Sequence, residues 1–496
     1  MSMRRAAQQL GLSGLLLTGL LSTQAFAQSP RDADDPSGPN ADAQPSSEQP
    51  NAAAQPAAAA LPVVPVAAAP IPVPKPRPGD VSVSGYLRAG FGASNQKGRM
   101  TCFKLGNIPG GLFSKYRLGN ECEVWSETHF TIVTYVGDDG SIGTLHVMPT
   151  IYLPTTYIGN SPNGAVTAPD QNLTSTGAVL YVPNLYADLQ GIPWLHGGTA
   201  WIGTRYYKRE SVYISDFFYW NPSGVGAGIE DVNLGRDLRL SYAAFAVDGE
   251  PVSSGASSPS LPAQIDFGVR NDVQLRGIRP WRSGEFQVGF QYIANFSNNP
   301  ASHGGWGATL QWVQQVPGGD NKVAVQYGRG GGTGFGTLAR FYYPDFSVRH
   351  DLGESRIRLV EVLTIQPTAW LGQQAAFVFQ RDDMGTLNSQ IDWYSAGTRL
   401  GLAFTRHAKL LGEVGYDRVV KSNGAAPQYL AKVTGAVALT PDRGFMARPE
   451  LRLFYTWARW NDAARTAGVD SGRIYTDVYT GVLTGSIFGL QAETVW

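Results

Sequence analysis

Residues 115–125 read KYRLGNECEVW and set Lys115, Arg117, Glu121, Glu123 and Trp125 within a few positions of one another, beside Cys122. The stretch is no helix seam and is too charged for an ordinary buried strand. It matches no nucleophile motif of the GxSxG kind, and Cys122 reads as a disulfide partner, so the chemistry it offers is recognition. Carboxylates accept hydroxyl protons, a guanidinium donates several hydrogen bonds, and an indole covers an apolar face. No GxSxG or HExxH motif occurs anywhere in the chain. His129, His146, His196, His303, His350 and His407 lack metal-ligand spacing, so scattered solvated histidines, no metal and no cofactor are expected.

What could hold such a surface depends on the compartment. Arg4 and Arg5, the apolar run from Leu10 to Leu21 and Ala25-Phe26-Ala27 read as a signal peptide over residues 1–27. The arginine pair reads as the basic start of a general secretory signal, with twin-arginine export as the alternative. Residues 28–80 are dense in Pro and Ala and poor in aromatics. They cannot bury enough apolar surface to offset chain entropy, which predicts a disordered or polyproline-like extension. Acidic and basic residues balance at 39 each, so no electrostatic case exists for nucleic acid. Beyond the signal, no run of about 18 apolar residues offers a helical span. Cys102 and Cys122, close in sequence and exported, read as a disulfide stabilising by about 3 kcal/mol; two thiols or half a metal site are the alternatives.

From residue 81 to 496 the pattern alternates with period two. Phe286, Val288, Phe290 and Tyr292 share a face, as do Val323, Val325 and Tyr327. In WYSAGTRLGLAF, the stripe from Tyr394 to Phe404 opposes Trp393, Ser395, Gly397, Arg399 and Gly401. A soluble sandwich alternates too, but Tyr and Trp cap these stripes and the opposite face stays small and polar. That combination, and a last strand ending in Trp496, predicts a closed all-β transmembrane antiparallel barrel. About 415 residues at about 23 per strand and connection give about 18 strands around an aqueous lumen. Residues 155–177 and 254–264 read as long outer loops, and the glycine run GRGGGTGFGTL (328–338) as a flexible one.

Four stretches carry a family resemblance: SGYLRAGFG, SKYRLGNECE, IGTRYYKRESVYISDFFYWNPSGVGAGIEDVNLG and the terminal FGLQAETVW. They resemble the maltoporin (LamB-type) carbohydrate porins, closely over the first third of the barrel and at its end. The resemblance implies a homotrimer in the outer membrane of a Gram-negative bacterium, each barrel in contact with lipid and narrowed by an inward third loop. It further implies an aromatic slide that stacks on an oligosaccharide substrate and a polar track that meets its hydroxyls. Slide positions match Tyr86, Trp125, Phe218 and Trp393; track positions match Arg88, Arg117, Glu127, Arg209 and Asp216. Arg117 and the nearby glutamates are then expected to face water and sugar hydroxyls.

Departures from the family pattern are specific. Trp125 stands where maltoporins carry tyrosine, and Phe218 also replaces a tyrosine. Ser211 and Tyr213 replace an acid and a histidine, Tyr181 replaces an arginine, and Val495 replaces a tryptophan. Sugar passage is therefore expected, with maltodextrin specificity left open. Plainer readings of the same residues are girdle roles for Trp125 and Trp393, a solvating role for the arginines, and wall packing for Phe218. A general diffusion porin is the alternative function; a barrel enzyme lacks a motif. The extension suggests contact with peptidoglycan or a periplasmic partner. Tyr152 and Tyr157 are candidates for an aromatic given to a neighbouring subunit.

Overall fold

The computed structural model describes residues 75–98, 100–105, 115–154, 179–248, 266–334, 348, 350–467, 479 and 481–496. The expected signal peptide, residues 28–74 of the expected extension, Tyr157 and the segments 155–177 and 254–264 lie outside the described residues.

In chain order the strands begin with β1 (Val81–Ser94), β2 (Glu123–Val136), β3 (Ile142–Pro154), β4 (Val179–Ile192) and β5 (Gly198–Arg205). A hairpin follows, of β6 (Glu210–Val212) and β7 (Phe217–Trp220). Next come β8 (Gly224–Gly235), β9 (Leu238–Asp248), β10 (Phe267–Trp281), β11 (Gly284–Asn295), β12 (Gly305–Val316) and β13 (Gly319–Gly330). The last are β14 (Ser355–Thr368), β15 (Leu371–Asp383), β16 (Gln390–Ala403), β17 (Ala408–Lys421), β18 (Gln428–Leu439), β19 (Glu450–Trp460) and β20 (Thr484–Val495). All but the β6–β7 hairpin form one 18-stranded antiparallel sheet, in which β1 pairs with both β2 and β20 and closes a barrel. Gly85 and Trp496 exchange backbone hydrogen bonds of 2.9 and 3.1 Å, so the seam closes on the last residue. At the same, N-terminal end of β1, pairing with β2 runs back to Gly79, whose N–H meets Val133 O at 2.8 Å.

The barrel is apolar outside and polar inside. Gln291 is 0% exposed while its strand neighbour Phe290 is 46% exposed, the reverse of a soluble sandwich. Phe91, Ile202, Leu453 and Leu490 continue the exposed apolar surface around the wall. Trp281, Phe286 and Trp312 pack together near the short turns, where the two amphipathic indoles suit an interfacial girdle.

Two expectations are corrected. An aqueous lumen narrowed by one inward loop was expected, yet the part lined by β14–β20 holds a packed cluster that includes Tyr116, Leu118, Ile214, Phe217, Trp393 and Phe445. Wall side chains alone cannot fill a barrel of this girth, and inward segments do so instead. The glycine run is also not all loop. Residues 328–330 end β13, and Gly331–Thr333 forms one tight helical turn. Glycine is required there because a Cβ on Gly332 would sit 2.0 Å from the Trp306 carbonyl oxygen.

Candidate functional site

Two chain segments fold into the lumen, and charge fastens them. The first is residues 115–122, which precede β2 and are tied by the Cys102–Cys122 disulfide. The second is residues 206–223, carrying the β6–β7 hairpin. Their backbones join where Lys115 and Arg117 N–H groups donate to Ser215 and Ile214 carbonyls at 2.8 and 2.9 Å. Asp216 turns the hairpin in the left-handed region (φ 54°), which an aspartate tolerates better than most residues.

The first segment is docked on the lumen wall. Leu118 N–H donates to Glu413 at 2.9 Å, its carbonyl accepts from Lys432 at 2.8 Å, and Gly119 N–H donates to Gln491 at 2.9 Å. The Tyr116 hydroxyl lies 3.0 Å from Ser395, and its ring lies over Gly397 and Gly415, whose missing side chains admit it. Arg117 holds Glu121 at 2.5 Å and Glu493 at 3.3 Å, and donates to the Tyr86 hydroxyl at 2.5 Å. Arg88 reaches Asp216 at 2.7 Å, Glu123 at 3.2 Å and Glu121 at 3.8 Å. Burial alone would raise the Glu121 carboxyl, but Arg88, Arg117 and Lys115 together hold it well below the ordinary carboxylate range.

The hairpin is fastened at both flanks. Glu210 binds Lys322 at 2.9 Å and Arg276 at 3.1 Å, while Ile214 N–H donates to Gln374 at 3.0 Å. Tyr213 donates to Glu493 and accepts from Arg448, which belongs to the connection between β18 and β19. Against the cost of burial, Lys322 and Arg276 hold the Glu210 carboxyl below its ordinary value.

Beside this anchorage lies a surface of rings and charges. In the β1–β2 register Tyr86 faces Glu127 and Arg88 faces Trp125, so four expected site residues form a checkerboard on the lumen wall. Trp125 donates to Glu127 at 3.0 Å, and the Arg88 guanidinium lies 5.5 Å from the Trp125 ring. On the hairpin, the Arg209 guanidinium lies 3.5 Å from the Tyr206 ring and 4.7 Å from that of Phe218. Tyr86, Trp125, Tyr206, Arg209 and Phe218 are all half-buried.

The model of the LamB porin family matches residues 81–496, the whole barrel. The chain belongs to the LamB porin family. It is thus an outer-membrane channel, of a class in which short turns face the periplasm. Solved structures are similar at low identity, an outer-membrane expressed protein among them. Acinetobacter baumannii OccAB1 shares 11% identity at a TM-score of 0.45, covering 84% of this chain and 96% of its own. Pseudomonas aeruginosa OpdK, solved with vanillate, shares 13% at 0.43, covering 84% and 99%. Vibrio cholerae OmpT shares 10% at 0.37, covering 86% and 100%.

Not every expected residue is available to a solute. In this porin Arg117 does not face water: it is 5% exposed and committed to Glu121, Glu493 and Tyr86. Trp393 takes the lumen side of β16 as expected, yet it is 0% exposed. Its indole donates to Asp417 at 3.0 Å and meets the Phe217 ring edge-on at 5.2 Å, beneath the inward hairpin. The histidines are not all solvated either. His129 and His146 are buried side by side at 3.1 Å, and His146 lies 3.3 Å from Asp188. Sequence reasoning did not find Tyr206, Glu493 or Arg448. Tyr206 follows the end of β5 in the inward segment and could have been read from the YYKR run; the other two belong to long-range pairs with no local signature.

Proposed function

We propose that this porin is a sugar-selective channel for facilitated diffusion of small oligosaccharides, working as a homotrimer. The observation that carries this reading is the checkerboard of Tyr86, Arg88, Trp125 and Glu127, whose rings remain half-buried on the lumen wall. A ring plane with a carboxylate beside it suits one pyranose face and its hydroxyl rim. The Arg209 guanidinium, stacked between Tyr206 and Phe218, supplies a second such place on the inward hairpin. Several weak sites in series suit conduction: a millimolar site is worth about 4 kcal/mol, enough to admit a sugar and still release it.

Arg117 and Trp393 support the reading only as residues that seat the inward segments. The extension joins β1 at the periplasmic end, which supports contact with peptidoglycan or a periplasmic partner. A general diffusion porin would keep the barrel and the anchorage without binding sugar. Ion current through planar bilayers separates the two. Added maltose, maltotriose or sucrose should reduce the current in a saturable way, and Trp125→Ala should raise the half-blocking concentration about tenfold while leaving assembly intact. Current unchanged by all three sugars would sink the sugar channel and leave the diffusion porin.

A further inference from the structure

A short sequence pattern recurs on the outside of the barrel wall. Arg329, Arg381, Arg418 and Arg459 each follow an aromatic residue by two positions, in YGR, FQR, YDR and WAR. They lie near the C-terminal ends of β13, β15, β17 and β19. Period two puts each arginine on the lipid-facing side with its aromatic, and all four are exposed. Pairing carries Arg329 to Ser355 of β14 and Ser355 to Asp383 of β15, two residues beyond Arg381. It carries Arg381 through Asp392 to Val420, two beyond Arg418. Arg418 pairs with Tyr429, and Ala431, two residues on, pairs with Arg459. The same offset thus recurs at every second strand. It amounts to about 6.8 Å along the strands for about 9.6 Å across them, a tilt of about 35°. Strands of membrane barrels tilt by about that angle, so the four guanidinium groups stand at one height.

The row is one-sided. At the opposite ends of the same four strand faces stand Asn321, Leu371, Leu410 and Leu451, and each arginine is the one cation on its face. General interfacial anchoring would serve both membrane surfaces. This row lies only at the end away from the short turns, which is the outer leaflet in this class of channel. Arg381 is held by Asp392 through two hydrogen bonds of 2.7 Å. Arg329, Arg418 and Arg459 have no ion pair among the described residues. Rings on the strands between join three of the motif aromatics into a belt. Tyr327 meets Trp306 at 5.5 Å, Phe379 meets Tyr394 at 5.1 Å and Tyr416 meets Tyr429 at 6.5 Å. We propose that this row binds the phosphate groups of the outer-leaflet glycolipid, lipopolysaccharide, with the belt against the boundary between its sugars and acyl chains. A guanidinium fork matches two phosphate oxygens, and Tyr and Trp rings suit a place apolar on one side and wet on the other. The site is independent of what passes through the lumen.

Native mass spectrometry of the full-length porin in detergent tests this by counting bound lipid. Diphosphorylated lipid A, the same glycolipid stripped of phosphate, and phosphatidylglycerol are titrated in turn. Wild type should bind the diphosphorylated form about tenfold more tightly than either of the others. The double variant Arg418→Gln, Arg459→Gln should lose about tenfold in affinity for it, with the mass of the assembled porin unchanged. Arg279→Gln is the control: Arg279 is exposed at the short-turn end and already paired with Asp237 and Glu285. Its affinity should stay within about twofold of wild type. Equal binding of the phosphorylated and stripped forms overturns the proposal, and that comparison needs no variant to fold. Lipid A binding no more tightly than phosphatidylglycerol also overturns it, since the row would then be a general anchor for anionic headgroups. So do a double variant that binds like wild type and a loss in Arg279→Gln equal to that of the double variant. A double variant that sheds subunits would make the row a contact between copies of this chain, and the proposal would fall.

Discussion

Gly415→Ala is the most direct test of how this lumen is filled. A Cβ at Gly415 would lie 2.1 Å from Cδ2 of Tyr116 and 2.3 Å from its Cγ. Carbon contacts settle near 3.5–4.0 Å, so the ring must retreat by about 1.5 Å. That retreat breaks its hydrogen bond to Ser395, and overpacking of this kind costs about 1–3 kcal/mol. Opposing it, Leu118 is bonded to Glu413 and Lys432, and hydrogen bonds to charged groups contribute about 1.5–3 kcal/mol each. The anchorage therefore exceeds the strain, and segment 115–122 should stay seated in most molecules. Departures from the seat should become about 5- to 150-fold more frequent, the same free energy expressed as a ratio. Single-channel recordings in planar bilayers should show them as brief excursions to higher conductance, with barrel assembly unchanged. Tyr116→Ala removes the obstructed ring, so adding Gly415→Ala to that variant should change nothing further. An effect of Gly415→Ala that is equally large with and without the tyrosine ring would refute the reasoning, because the strain would not then pass through Tyr116.

Other outcomes follow from the same geometry. Trp393→Phe loses the hydrogen bond to Asp417, lowering stability by about 1 kcal/mol, but should leave the half-blocking sugar concentration within about twofold of wild type. A shift as large as that of Trp125→Ala would place Trp393 against the sugar after all. Glu210 sets a pH dependence: its folded carboxyl is held below the ordinary value of about 4.3, so its stabilisation is complete above that value. As pH falls through the lower folded value the contribution disappears, and the stability gap between wild type and Glu210→Gln, measured by thermal unfolding, should close. A gap that closes already between pH 7 and 6 would contradict this assignment.

The wall of the barrel was legible in the sequence because its signal is local. Phe286 to Tyr292 alternate with glutamine and glycine over a single strand, and the family resemblance, supported by parity, put Tyr86, Arg88, Trp125, Glu127 and Trp393 on the lumen side. What parity does not carry is what lies above a side chain. Trp393 has the correct face, but Phe217, far away in sequence, covers it. Arg117 was expected to meet water because it matches a polar-track position of the family. Its partner Glu493 lies on the last strand, and no spacing rule connects the two. Tyr181 was named only as standing in place of an arginine, and its contact with the Trp125 ring was hidden for a different reason. The register between β3 and β4 shifts between Met148 and Thr150, so counting by twos fails across that part of the sheet.

The same placements explain how charge and aromatic surface divide the work in the proposed channel. Arg88 and Arg117, two of the three expected track cations, hold the inward segments against carboxylates of the wall and of the segments themselves. A guanidinium so committed cannot follow a passing sugar without loosening the segment it fastens. The surface left to meet a solute is that of half-buried rings such as Tyr86, Trp125, Tyr206 and Phe218, with the Tyr86 hydroxyl itself tied to Arg117 and Glu493. Ring faces bind through apolar contact and discriminate hydroxyl patterns weakly, whereas an exposed ionic track would discriminate them strongly. A lumen whose charges anchor and whose rings bind is therefore suited to a range of neutral sugars and not to one maltodextrin. Trp125, with a wider plane than tyrosine and no hydroxyl, moves the balance in that same direction.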